Sequence, residues 1–273
     1  MTVGDLFKKK VLEEGYGERD FVLFEDEKYT WNQTYQQAVK YANTFLRLRH
    51  RNDIPLHVGV FMENYPEFVF AYIGCALSGA VLVGINTTQR GAALARDINH
   101  CDCQVLLTEN RFLDEVMGIK KDLQFVTDRE ILVNNHREKD KSLPRGIMSI
   151  NDKIKELEAE IGPAFLKDPN VAVKPEDWLM VIFTSGSTGA PKGIMNSHKK
   201  FVETSVTFAE RTRYTDKDVS YAAMPLFHSN STFLALIPAI AQGGKISTRR
   251  KFSASGFLPD VRKFGVTFFN YVG

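Results

Sequence analysis

The sequence predicts a layered α/β architecture built on mainly parallel sheets, and three observations lead there. Short, largely apolar runs recur along the chain at Val58–Met62, Ala80–Ile85, Gln104–Thr108 and Trp178–Phe183, and such runs read as strands buried on both faces. Stretches with a helical period lie between them, and that alternation implies parallel strands joined by helical crossovers. Composition agrees: 44% of the 273 residues are hydrophobic and 25% are charged, which excludes a disordered, collagen-like or disulfide-stapled chain. Lysine and arginine number 35 against 33 acidic residues, so the net charge of +2 gives no electrostatic reason to expect nucleic acid as a partner. Three cysteines are too few, and odd in number, for a disulfide framework, which points to a reducing, cytoplasmic compartment.

No apolar signal-peptide core follows Lys8, Lys9 and Lys10, because Glu13, Glu14 and Glu18 come next. The first expected helix is Trp31–Arg49, where Tyr35, Ala38, Val39, Ala42, Phe45 and Leu46 share a face. Phe68–Ile85 is 18 residues without a charge, so a membrane span has to be weighed. Punctuation splits the run. Asn64 can cap a helix, Pro66 suits its first turn, Glu67 stands three after Asn64 as in a capping box, and Gly79 can close the C-terminus. A helix from Tyr65 to Ser78 would be about 21 Å long, too short to cross a hydrocarbon layer about 30 Å thick. Ala80–Ile85 then follows as a buried strand. Gly91–Asn99 and Phe201–Arg211 are further helices, while Ser231–Gln242 and Ser253–Phe264 begin at cap-type residues and stop at glycine. Later strands are expected at Val219–Met224, Lys245–Ser247 and Val266–Val272. Residues 111–170, rich in charge, read as a solvated excursion between sub-lobes 1–110 and 171–273. The chain stops within an apolar strand pattern at Asn270–Gly273, as expected of the front part of a longer protein.

Chemistry concentrates in Thr184-Ser185-Gly186-Ser187-Thr188-Gly189-Ala190-Pro191-Lys192-Gly193, directly after an apolar strand. Ten residues hold three glycines, four hydroxyls and a lysine. Glycines let backbone N–H groups face an anion, hydroxyls donate further bonds and can face magnesium, and lysine supplies a mobile positive charge. Together they suit a polyphosphate at the carboxyl end of a parallel strand. The bland alternative is a Ser- and Gly-rich surface turn. A P-loop shares the offset from Gly186 to Lys192, but Pro191 replaces its second glycine and Gly193 its magnesium-binding hydroxyl. Proline has no N–H to offer a phosphate, so this is a loop of another design. His100-Cys101-Asp102-Cys103 has metal-like spacing but lacks a second pair, and it reads as the entrance to a buried strand. Arg249-Arg250-Lys251 reads as a solvated turn, with guidance of an anionic substrate or a membrane surface as the sharper alternative.

The ten-residue string resembles the signature loop of the adenylate-forming superfamily: acyl-CoA synthetases, luciferases and the adenylation domains of peptide synthetases. Glu63-Asn64-Tyr65-Pro66-Glu67 with Gly79-Ala80 and Ile85-Asn86 is similar to the family's early helix and strand, and Met224-Pro225-Leu226-Phe227-His228 to its second motif. Arg249–Ser255, Asp260-Val261-Arg262 and Asn270-Tyr271-Val272-Gly273 are similar to the fatty-acid transport protein and very-long-chain acyl-CoA synthetase branch. The resemblance implies that residues 1–273 form an incomplete N-terminal part of the large domain, with the small C-terminal domain absent. It implies a fatty-acid–CoA ligase that uses ATP, CoA and Mg2+, with long-chain fatty acid as the carboxylate. Thr184, Ser185, Gly186, Ser187, Thr188, Gly189 and Lys192 would hold the phosphates, with Thr184 facing magnesium. Lys192 and His228 would be catalytic, and Asn230–Leu236 would line the acyl pocket. Weak or no catalysis is expected of residues 1–273 alone, and the alternative is a non-catalytic truncated or nucleotide-binding fragment of the same fold. Peripheral membrane contact and oligomeric state are left open.

Overall fold

The computed structural model describes residues 1–137, 142–184 and 191–271. The strands are β1 (Asp20–Phe24), β2 (Glu27–Thr30), β3 (His57–Phe61), β4 (Val81–Gly84), β5 (Cys103–Glu109), β6 (Ile131–Asn134), β7 (Met148–Ser149), β8 (Trp178–Thr184), β9 (Lys192–Ser197), β10 (Val219–Tyr221), β11 (Lys245–Thr248) and β12 (Phe268–Phe269). The helices are α1 (Val3–Leu12), α2 (Trp31–Leu48), α3 (Pro66–Ser78), α4 (Gly91–His100), α5 (Leu113–Ile119), α6 (Ile150–Ile161), α7 (His198–Thr212), α8 (Ser229–Ser231), α9 (Ile237–Gln242) and α10 (Ala254–Phe264). Among the described residues the strands form two sheets, a seven-stranded one ordered β7-β6-β5-β3-β4-β8-β9 and a five-stranded one ordered β12-β10-β11-β1-β2. Every ladder is parallel except β1–β2 and β8–β9.

The period of two in the central strands explains the layering. Val58 and Val60, Leu82, Val105 and Leu107, Leu132, Met180 and Ile182 enter one core, which also takes Phe21, Val22 and Ile246 from the smaller sheet. Their neighbours Phe61, Val81 and Val83, Leu106, Ile131 and Val133, and Val181 enter a second core beneath α4 and α5. Helix α3 lies in the first core with all thirteen residues buried. Each of its large apolar side chains, such as Phe68, Phe70 or Ile73, contributes roughly 1.5–3 kcal/mol by leaving water. Gly79 ends it in the left-handed region at φ +70°, and β4 follows, as the punctuation of the uncharged run requires. No helix among the described residues is long and apolar enough to cross a membrane.

Several expectations are corrected. Residues 111–170 are no excursion: β6 pairs with β5 and β7 with β6, so this segment completes one side of the larger sheet. The chain does not divide at that segment into two lobes either, because β1 and β2 join the sheet of β10–β12, and β8 and β9 join that of β3–β7. The strand expected over Val219–Met224 stops at Tyr221, where the Ala223 N–H turns back to the Tyr221 carbonyl at 3.1 Å and the Thr248 hydroxyl takes the Ala222 carbonyl at 3.3 Å. The helix expected from Ser231 begins at α8, continues as a π-helical stretch over Thr232–Leu236 and ends as α9. Pro238 has no N–H for the carbonyl four residues back, which accounts for the widened turn before it. Of the described residues of Val266–Val272, two form a strand, those of β12.

Candidate functional site

Parallel strands of an open α/β sheet present ligands at their carboxyl ends. In the larger sheet β3, β4, β5 and β8 all end at one edge, and β8 ends there at Thr184. The chain returns as the antiparallel β9, with Thr184 opposite Lys192. The phosphate-type loop therefore joins strand to strand, whereas a P-loop feeds a helix. Thr184 and Lys192 are both exposed, and the Thr184 hydroxyl donates to the Lys192 carbonyl at 3.4 Å. Among the described residues no carboxylate pairs with the Lys192 ammonium. Ser185, Gly186, Ser187, Thr188 and Gly189 lie outside the described residues.

His228 comes to the same edge through long-range packing. In the sheet Gly84 stands opposite Ile182, two residues before Thr184. Phe227 rests directly on Gly84: a methyl group there would lie 3.0 Å from the Phe227 Cβ and 3.1 Å from its carbonyl oxygen. Glycine is thus needed for close approach, not for an unusual φ. His228 follows, exposed, with its N–H donating to the Pro225 carbonyl at 3.0 Å. The Asn230 N–H donates to the His228 Nδ1 at 3.4 Å, so the imidazole caps α8. Ser231 and Thr232, expected to line an acyl pocket, are buried and donate to the Met224 and Leu226 carbonyls at 2.6 and 2.8 Å. Phe233 stacks on Phe201, with ring centroids 4.4 Å apart.

Asn64 does not cap α3; Tyr65 is the N-cap residue and gives no side-chain cap. The buried Asn64 carboxamide instead donates to the Met224 carbonyl at 3.0 Å and accepts from the Leu226 N–H at 2.6 Å. Glu67 likewise serves another partner, taking both carboxylate oxygens to Arg137 at 2.9 and 3.0 Å.

A second group at this edge joins Glu63 and Arg250, each part of a string noted in the sequence, to Glu109 and Arg111, which gave no signal beyond their place at a strand end. Glu63 and Glu109 follow β3 and close β5, and the Glu63 N–H donates to the Glu109 carboxylate at 3.4 Å. Arg111 donates to Glu63 at 3.1 Å, with Arg250 3.6 Å from the same oxygen. Burial, and then the negative charge of Glu63, push the Glu109 carboxyl up to about 7, against the opposing bonds from Tyr65 and the Glu63 N–H and the charge of Arg111. A small cavity beside it is lined by Tyr65, Glu109, Asn110, Asn134 and Arg137. Arg249, expected as part of a solvated turn, pairs with Asp260 at 3.1 Å. Cys101 and Cys103 are buried, and burial first, then Asp97 and Asp102, push the Cys101 thiol up to about 12. Among the described residues no group of three or more His, Cys, Asp or Glu gathers as a metal nest.

Comparison with known proteins places the chain in a family. The sequence model of a family described as AMP-binding enzyme matches residues 8–273. Steroid-22-oyl-CoA synthetase of Rhodococcus jostii (strain RHA1) is 36% identical over 248 residues, which are 91% of this chain and 41% of that protein. Long-chain fatty acid transport protein 6 of Homo sapiens is 28% identical over 258 residues, 93% of this chain and 39% of that protein. The chain thus spans about two fifths of the length of these relatives. Among solved structures, the anthranilate CoA ligase AuaEII in complex with anthranoyl-AMP superposes with a TM-score of 0.84 at 22% identity, over 98% of this chain and 49% of that one. That likeness shows the layered fold, and the family match over nearly the whole sequence shows the lineage: this chain belongs to the AMP-binding enzyme family.

Proposed function

We propose that the protein is an ATP-dependent acid–thiol ligase that activates a fatty carboxylate and transfers it to CoA. A carboxylate oxygen attacks the α-phosphorus of ATP, the bond to pyrophosphate breaks, and an acyl-adenylate forms. The CoA thiolate then attacks the acyl carbon and AMP leaves. The observation that carries this reading is the meeting of two segments at one sheet edge. The β8–β9 strand ends present the exposed Thr184 and Lys192, and the Phe227–His228 turn is seated on the neighbouring β4.

The first step brings an anion to a polyanion, so charge neutralisation and positioning dominate its barrier. Lys192 supplies positive charge to the β- and γ-phosphates that depart. The backbone and hydroxyls of Ser185, Gly186, Ser187, Thr188 and Gly189 supply donors along the same phosphates. Mg2+ fits this donor set. Such an ion takes few protein oxygens, so Thr184 would be the side chain that holds it beside the substrate phosphates. Thr184 offers an exposed hydroxyl that, among the described residues, makes one long bond, to the Lys192 carbonyl. When bound, the ion neutralises phosphate charge. His228 orients the reacting carboxylate, and Asn230–Leu236 border the acyl chain. Support for a long-chain fatty acid comes from the transport-protein relative, and support for CoA from the synthetase relative. The three buried free thiols agree with a cytoplasmic setting.

The test is carboxylate-dependent ATP–pyrophosphate exchange by the full-length protein, across medium- to very-long-chain fatty acids. Exchange with AMP and acyl-CoA as products is expected. Release of ADP and inorganic phosphate, or no exchange with any fatty acid, overturns the ligase reading.

A further inference from the structure

We infer that Asn64 is a positioning residue for His228, acting through the turn that carries it. The inference rests on the proposed role of His228 at the reacting carboxylate. Its geometric core does not.

Pro225 leaves the Met224 carbonyl and the Leu226 N–H on either side of a residue that has no N–H of its own. Pairing both groups with one side chain requires a donor and an acceptor a fixed distance apart. The carboxamide provides that, as a stand-in for a neighbouring peptide unit. Asn64 makes both bonds, at 3.0 and 2.6 Å, from a side chain only 3% exposed. Its own N–H donates to the Arg250 carbonyl at 3.1 Å, so one residue ties the segment before α3 to the loops after β10 and β11. Ser231 and Thr232 hold the same turn from its far side, and Gly84 supports Phe227 from beneath. Those contacts come from the turn's own helix or from a flat backbone. Among the described residues that hold the turn, Asn64 alone grips both ends of the Met224–Leu226 step, with a side chain 160 positions from Met224. Two motifs distant in sequence, around Asn64 and around His228, thereby become one rigid unit. Aspartate keeps the acceptor and loses the donor, while alanine loses both.

The test compares the wild-type chain with Asn64→Ala and Asn64→Asp. Amide hydrogen exchange is read at Leu226 and, as a control for global stability, at Leu107 in β5. The 1H–13C cross-peak of the His228 ring is read in parallel. With Asn64→Ala, exchange at Leu226 should accelerate about tenfold, with Leu107 unchanged and the His228 peak displaced. With Asn64→Asp, Leu226 should keep most of its protection while the His228 peak still moves, and this variant decides the matter if the alanine variant fails to fold. Unaltered Leu226 exchange and an unmoved His228 peak in the variants overturn the inference. So does equal acceleration at Leu226 and Leu107, which marks general loosening. In the full-length protein Asn64→Ala should lower the maximal rate of pyrophosphate exchange while the KM for ATP holds. If wild type shows no exchange, the ligase reading falls, and the Leu226 and His228 measurements still decide the positioning claim.

Discussion

The two halves of one sheet edge differ in how their polar groups are satisfied. At the ends of β3 and β5, Glu63, Glu109, Arg111 and Arg250 bond to one another, and Arg137 closes the neighbouring Glu27 and Glu67. At the ends of β4 and β8, Thr184, Lys192 and His228 are exposed and, among the described residues, make few bonds, each with backbone. Both halves have the parallel-strand geometry that favours ligands. The closed half spends its charges on holding loops together, and the open half keeps its groups available. Position at a strand end is therefore not enough to mark a site; an unspent donor is the better guide.

The largest expected effect tests the open half. Lys192→Ala should lower carboxylate-dependent pyrophosphate exchange by about 10²–10³-fold, as loss of one transition-state donor does elsewhere, and its unfolding midpoint in urea should match wild type. A lowered midpoint would move Lys192 into the structural half. Next, Arg137→Ala leaves Glu67, whose side chain is 8% exposed, without its partner, and should cost about 3 kcal/mol in urea unfolding. A loss below about 0.5 kcal/mol would mean that the pair behaves as a surface salt bridge.

A third prediction concerns pH. The folded chain holds a proton on Glu109 up to about pH 7, whereas the unfolded chain releases it in the ordinary glutamate range. Over that window the folded state binds more protons, so stability falls as pH rises, by at most about 3 kcal/mol, and levels off above about pH 7. Glu109→Gln should flatten that decline, and identical pH profiles for the two proteins would show that the buried carboxyl is already ionised. The smallest effect is at the seam between the halves. Gly84→Ala should cost about 1–2 kcal/mol by pressing a methyl against Phe227. It should shift the amide resonances of Phe227 and His228 more than those of Glu109, and the reverse order would detach the turn from β4.

Legibility in the sequence followed the range of the interaction. The helix and strand inside the uncharged run Phe68–Ile85 were readable because Pro66 and Gly79 act on their immediate neighbours. Residues 111–170 misled because their surface charge is high, while β6 needs only Ile131, Leu132 and Val133 to join the sheet. Asn64 was misread for a related reason. Its spacing to Glu67 satisfies a capping box, yet two bonds to a distant turn were available to it, and Glu67 had Arg137. The loop composition around Lys192 was plain, since glycines, hydroxyls and lysine lie within ten consecutive residues. Glu109 was invisible, because its proton affinity comes from burial and from a carboxylate 46 positions away.

The amino-acid order by itself determined the α/β class, the buried parallel strands and the anion-suited chemistry of the β8–β9 connection. Those follow from side-chain period and backbone freedom over a few residues. Only the tertiary structure decided that β1 and β2 cross to the sheet of β10–β12, that Asn64 grips the turn before His228, and that His228 stands at the same edge as Thr184. Each of these depends on which distant surfaces pack together, and burial makes an unpaired donor or acceptor too costly to leave.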